Sequence, residues 1–294
     1  MNDYLCAWRG TYRRTYKMTI FKDKTITDNF IFGAVMQNPK LCKALLECIL
    51  NIKIREIKYP ELEKTISKGV GSKSVRLDVY IEDEFDTIYN IEMQTTNKKN
   101  LPKRMRYYQG IIDINIIDKG EDYNKLKKSY VIFICDYDEF GIGRHIYTFE
   151  NTCIQEPALK LNDDTVKIIL NTKGTMDDVS DEVKELLHYI GGANPASDLT
   201  RSLDEEVNNI KSNKKWRREF MTLLMRDNEN KLLGKYMQLI DQVKKLDIND
   251  AEIAAKILGI KEQQIYEIKD YIAEHPEMDE DDLAEHIAYW LDLD

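Results

Sequence analysis

Residues 75–94, VRLDVYIEDEFDTIYNIEMQ, alternate apolar and polar positions with the period of two that marks β-strands. Runs at 75–81 and 87–94 predict two strands, joined through the turn-rich EDEFD as a hairpin. YVIFIC at 130–135 predicts a third strand, with weaker runs at 145–149 and 166–171. Residues 28–50 instead follow a helical period, with Phe30, Val35, Leu41, Leu45, Leu46 and Ile49 on one broad stripe. Asn38-Pro39 breaks that stripe into a helix pair. A proline start and apolar spacing predict another helix over 101–117. Lying between strands, it makes YVIFIC parallel to a neighbour through a crossover.

After TKGTMDD (172–178) the pattern is helical almost without interruption. The expected organisation is a basic leader at 1–17, an α/β domain at 18–175, a helical extension at 176–247 and a helical hairpin at 248–294. Within that hairpin, 250–268 has a helix-turn-helix look, with Ala255, Gly259 and Ile265 at small, turn and buried positions. Its second helix is net acidic, which favours packing or protein interaction over DNA reading.

A hydrophobic content of 43% and a charged content of 32% over 294 residues describe a globular chain rather than a disordered one. No apolar run is long enough for a membrane helix, and the first 20 residues lack the apolar core of a signal peptide. Five cysteines with no CxxC, and only four histidines, argue against structural zinc and fit a reducing, cytoplasmic setting. The net charge of −9 is a property of the tail. Residues 274–294 hold nine acids and no Lys or Arg, and without them 43 acidic residues face 43 basic ones. Basic clusters stand out at 97–108 (NKKNLPKRMRYY) and 211–218 (KSNKKWRR), each with five positive charges and no negative one. The tail itself carries an amphipathic stripe, Leu283, Ile287 and Trp290–Leu291, suited to docking on its own body, a protein partner or a basic groove.

Strand parity places Arg76, Asp78 and Tyr80 on one face of the first strand, and Asn90, Glu92 and Gln94 on one face of the second. A hairpin folded near 84–86 pairs positions summing to about 170, which sets Asp78 across from Glu92 and Arg76 across from Gln94. Facing carboxylates repel and ask for a cation. Mg²⁺ (or Mn²⁺) takes one or two carboxylates and completes its shell with water and phosphate, which is equipment for phosphodiester hydrolysis. Gln94 would point at the same site. The same alternation also describes an ordinary hairpin with one solvated face.

From 28 to 175 the chain resembles the Rpn family of recombination-promoting nucleases and putative transposases, in the PD-(D/E)xK superfamily. The matching pieces occur in order: DNFIF (28–32), LLECILN (45–51), RLDVY (76–80), NIEMQ (90–94), PKRMRYYQGIID (102–113) and YVIFI (130–134). The resemblance implies an α/β, restriction-endonuclease-like αβββαβ core, here followed by an all-helical C-terminal extension, and metal-dependent cleavage of double-stranded DNA. Carried over by position, Asp78 and Glu92 are metal ligands and, with Gln94, the catalytic set. Gln94 stands where the wider superfamily commonly has Lys, so Arg76 is an accessory candidate for charge. Asp28 matches an acid of the family at the start of the first helix; an N-cap is the alternative reading. Lys103, Arg104, Arg106 and Tyr108 are candidate DNA contacts, against the alternative that a tyrosine packs in the core while the cations are solvated. A homodimer is left open. A degenerate nuclease fold that only binds nucleic acid or protein is the competing reading.

Overall fold

The computed structural model describes residues 21–66, 75–245, 255, 260–278, 282–284 and 286–287. The leader at 1–17, most of the first half of the expected helix-turn-helix and Trp290–Leu291 lie outside them.

The stripe at 28–50 forms two helices, α1 (Asn29–Met36) and α2 (Pro39–Leu50). Gln37 ends the first and Asn38 caps the second, its side chain accepting from the Lys40 amide, with Pro39 in the first turn. Every residue of α1 from Phe30 to Met36 is buried, so it is an interior helix rather than an amphipathic one.

Six strands follow: β1 (Ile57–Ile66), β2 (Val75–Asp83), β3 (Ile88–Gln94), β4 (Ser129–Cys135), β5 (Ile146–Phe149) and β6 (Thr165–Asn171). They form one mixed sheet in the order β1-β2-β3-β4-β6-β5. The helix α3 (Leu101–Ile116) carries the chain from β3 to β4, which pair in parallel. The sequence pattern did not reveal β1. Its IKYPELEKTI is charged and contains Pro60, which an edge strand tolerates where a central strand would not. The pairing of β1 with β2 shifts register between Lys58 and Glu61, around that proline.

The hairpin does not have a solvated face. β3 is buried at all seven positions, and β2 is buried from Leu77 to Ile81. The α3 face holds Tyr80, Met105, Tyr108, Ile112, Val131 and Phe133 in one apolar cluster, while α1 packs on β1, β2 and β3. Gln109 fixes α3 to the sheet, its Nε2 donating to Ser129 Oγ at 2.7 Å.

The described elements after β6 are helices: α4 (Asp181–Ile190), α5 (Asp198–Ser212), α6 (Lys214–Lys245) and α7 (Glu262–Glu274). The chain divides into compact units Met1–Arg217 and Arg218–Asp294. In the first, α5 packs on α1 and α2. In the second, Leu283 and Ile287 of the acidic tail are buried with Tyr236, Ile240, Val243, Ile265 and Ile268. The described part of the tail stripe therefore docks within its own helical unit. Among the described residues, no helix is long and apolar enough to cross a membrane.

Candidate active site

β2 and β3 pair antiparallel from Glu82↔Ile88 to Val79↔Ile91, the register that the hairpin pattern predicts. Beyond that rung the sheet forks. β2 stays with β1 through Leu77↔Lys64 and Val75↔Ile66, while β3 stays with β4 through Glu92↔Phe133 and Gln94↔Cys135. Arg76 therefore does not pair with Gln94, as the extended register required; its backbone pairs with Thr65. The Arg76 side chain lies outside the described ones.

Asp78 and Glu92 occupy the fork, and their carboxylates take amides that an unbroken ladder would use. The Asp78 amide donates to Glu92 Oε1 at 3.0 Å, and the Met93 amide donates to Asp78 Oδ2 at 3.1 Å. Both acids are buried, at 7% and 1% exposure. Turned so that its Nδ2 donates, Asn90 reaches Val79 O and Glu92 Oε1, each at 3.2 Å. Burial, then the neighbouring Asp78 charge, holds the Glu92 carboxyl well above the usual carboxylate range.

Across the fork stands Arg104, one turn into α3. Its Nη2 is 3.4 Å from Glu92 Oε2, and its Nη1 donates to Gln94 Oε1. Nη2 also donates to the Tyr108 hydroxyl at 3.0 Å. The guanidinium carbon lies 5.2 Å from the Tyr108 ring centre and 5.0 Å from that of Phe133. Tyr108 packs beside Phe133 in the core, and burial pushes its hydroxyl up to about 12, so it remains a phenol at neutral pH. Of the four candidate DNA contacts, Arg104 and Tyr108 thus belong to the floor of the site. Lys103 and Arg106 are exposed on α3. Gln94 holds Arg104 with its oxygen, and its Nε2 donates to Thr96 O.

Asp28 is the N-cap of α1: Oδ1 accepts from the Phe30 amide at 3.1 Å, and Oδ2 pairs with Lys24 at 2.7 Å. The next residue reaches the fork instead. Asn29 Nδ2 lies 3.4 Å from Asp78 Oδ1, a contact that the sequence reading did not single out. If capping is the main duty of Asp28, Asp28→Ala should cost about 1 kcal/mol in thermal unfolding while Asp28→Asn, an equally good cap, costs a few tenths at most.

The donor set suits a hard divalent cation. Two buried carboxylates supply oxygen ligands, and Arg104 meets Glu92 only at 3.4 Å. Among the described residues no cluster of three or more His, Cys, Asp or Glu side chains is gathered for a metal. Carboxylate oxygens are the ligands that Mg²⁺ and Mn²⁺ take, with waters completing the shell.

Residues 29–171 match the family model described as PD-(D/E)XK nuclease family transposase. No curated protein and no solved structure matches the chain.

Proposed function

Because residues 29–171 match the family model of PD-(D/E)XK nuclease family transposases, we propose that this protein is a divalent-metal-dependent DNA endonuclease working at the Asp78–Glu92 fork. The observation that carries the reading is a pair of buried carboxylates brought together where the β2–β3 ladder opens, each accepting a backbone amide of the other strand. Asp78 and Glu92 would hold Mg²⁺ or Mn²⁺. Such an ion, when bound, polarises a phosphoryl oxygen and activates water for hydrolysis.

The remaining work falls to side chains around the fork. Asn29 orients Asp78, and Asn90 with the Asp78 amide orients Glu92. Arg104 neutralises part of the charge on Glu92 and lies where a scissile phosphate would approach it. Gln94 carries no charge of its own, and here it positions Arg104, so the cation that a lysine brings elsewhere in the superfamily comes from α3. Lys103 and Arg106 extend the positive surface outward for backbone contacts.

The test is nicking of supercoiled plasmid. Wild-type protein is expected to nick with Mg²⁺ or Mn²⁺ and to stop when EDTA is added. Gln94 supports a second reading, a nucleic-acid-binding protein with weak catalysis, because both ends of its amide are already engaged. Duplex binding without any metal-dependent nicking would select that second reading.

A further inference from the structure

The basic run at 211–217 lies outside the matched segment, and the fork does not use it. It begins on the last turn of α5 and continues into the first turn of α6, where Asn213 caps by accepting from the Lys215 amide at 2.8 Å. Lys214, Lys215 and Arg217 open α6, and its first turn contains no acid. Cations at a helix N-terminus oppose the helix dipole, so these residues do not stabilise the helix that carries them.

Most of the surface cations of this unit that pair do so with a nearby acid, as Lys24 with Asp28, Lys58 with Asp86, Lys125 with Glu121, Lys173 with Asp136 and Lys184 with Asp177. Among the described residues Lys211, Lys214 and Arg217 form no ion pair, and the same is true of Lys103 and Arg106 on α3. On a chain of net charge −9, two unpaired clusters of one sign are a local arrangement, not an average property.

Trp216 connects this run to the fork. Its ring meets Phe30 edge-on with centroids 6.0 Å apart, and Phe30 follows Asn29, whose amide reaches Asp78. On the side of the other acid, Glu92 pairs with Arg104, and Lys103 and Arg106 lie beside it in sequence on the same helix. Trp216 thus seats the start of α6 against α1, the helix whose first residue reaches Asp78, while Lys103 and Arg106 lie on the helix that carries Arg104. Trp216 is half-buried against Phe30, and Lys215 lies 5.7 Å from its ring centre, so the run offers charge rather than a stacking platform for bases.

We propose that Lys211, Lys214 and Arg217 form a second phosphate-binding surface that holds the backbone of double-stranded DNA on the α1 side of the fork. This rests on the DNA-cleaving reading above and adds a contact surface beyond the matched family segment. The test is binding of a labelled 30-base-pair duplex in EDTA, followed by fluorescence anisotropy across a salt series, so that no cleavage enters. Lys211→Glu, Lys214→Glu and Arg217→Glu together are expected to weaken duplex binding roughly 10–100-fold at about 0.1 M salt. The slope of log affinity against log salt should flatten by about 3, one phosphate contact per cation. The three Gln replacements should give a smaller loss of the same kind. A control with the same charge change at exposed Lys40, Lys53 and Lys119 is expected to bind nearly as wild type does.

Wild-type duplex binding left unchanged by the 211/214/217 variant would overturn this inference alone, as would an equal loss in the control or a loss confined to a single-stranded probe. A wild-type protein that neither binds duplex nor nicks it would instead overturn the underlying functional reading.

Discussion

Glu92→Gln is expected to lower Mg²⁺-dependent plasmid nicking by roughly 10³-fold and to erase the effect of Mg²⁺ on thermal stability. A catalytic metal contributes several kcal/mol of transition-state stabilisation, and losing about 4 kcal/mol corresponds to about 10³ in rate. The stability half follows from the electrostatics of the fork. Burial and Asp78 raise the Glu92 carboxyl above its ordinary 4.5. Between that value and the raised native one, the folded protein binds more protons than the unfolded chain. The stability of the metal-free protein therefore falls as pH rises through this window, and what Glu92 contributes is fully present only below it. A cation that binds only the folded form offsets the fall, by about 2.7 kcal/mol at a hundredfold excess over its Kd. Thermal melts from pH 5 to 8, with and without Mg²⁺, should show both effects in wild type and neither in Glu92→Gln. An equal Mg²⁺ gain in the variant would remove Glu92 from the site.

Arg104→Ala should be the most damaging change outside the carboxylates. In the metal-free protein this guanidinium is the cation paired with Glu92, and it also holds Gln94 and Tyr108. Breaking a fully buried pair costs roughly 3–5 kcal/mol, and the cost here is put lower, at about 2 kcal/mol. The discount reflects a 3.4 Å contact and an Arg104 side chain that keeps 29% exposure. Added Mg²⁺ should recover much of that stability without recovering nicking, because it replaces the countercharge but not the hold on Gln94. Arg104→Lys should fail too, since an ammonium can neither fork between Glu92 and Gln94 nor stack on Tyr108 and Phe133. Thermal melts paired with nicking assays separate these outcomes.

Much of the geometry around the fork was legible in the chain. Strand parity and the short EDEFD turn fix the register, because a slip of one residue would turn every side chain to the opposite face. The Asn38-Pro39 break and the crossover over 101–117 likewise follow from local chemistry. What alternation cannot reveal is what covers a polar face. Asn90, Glu92 and Gln94 read as solvent-facing by pattern, yet α3 and its cluster bury them, which turns a charge pair into a strained one. β1 is hidden for the opposite reason: Pro60 and its charges look like a loop, and only an edge position with a register shift accommodates them. Asn29 is invisible as a site residue because its role depends on where the capped start of α1 lies against β2, a tertiary fact. The opening of the ladder is tertiary as well: two carboxylates take backbone amides where β2 follows β1 and β3 follows β4.

On the proposed function, Asp78 and Glu92 together hold the divalent ion at which DNA is cut. This is tested most directly by titrating Mn²⁺ into the protein and following the free-ion signal by electron paramagnetic resonance. Wild type should bind Mn²⁺, and the Asp78→Asn, Glu92→Gln double variant, still folded by thermal melting, should leave it free in solution. Undiminished Mn²⁺ binding by the double variant would contradict the account.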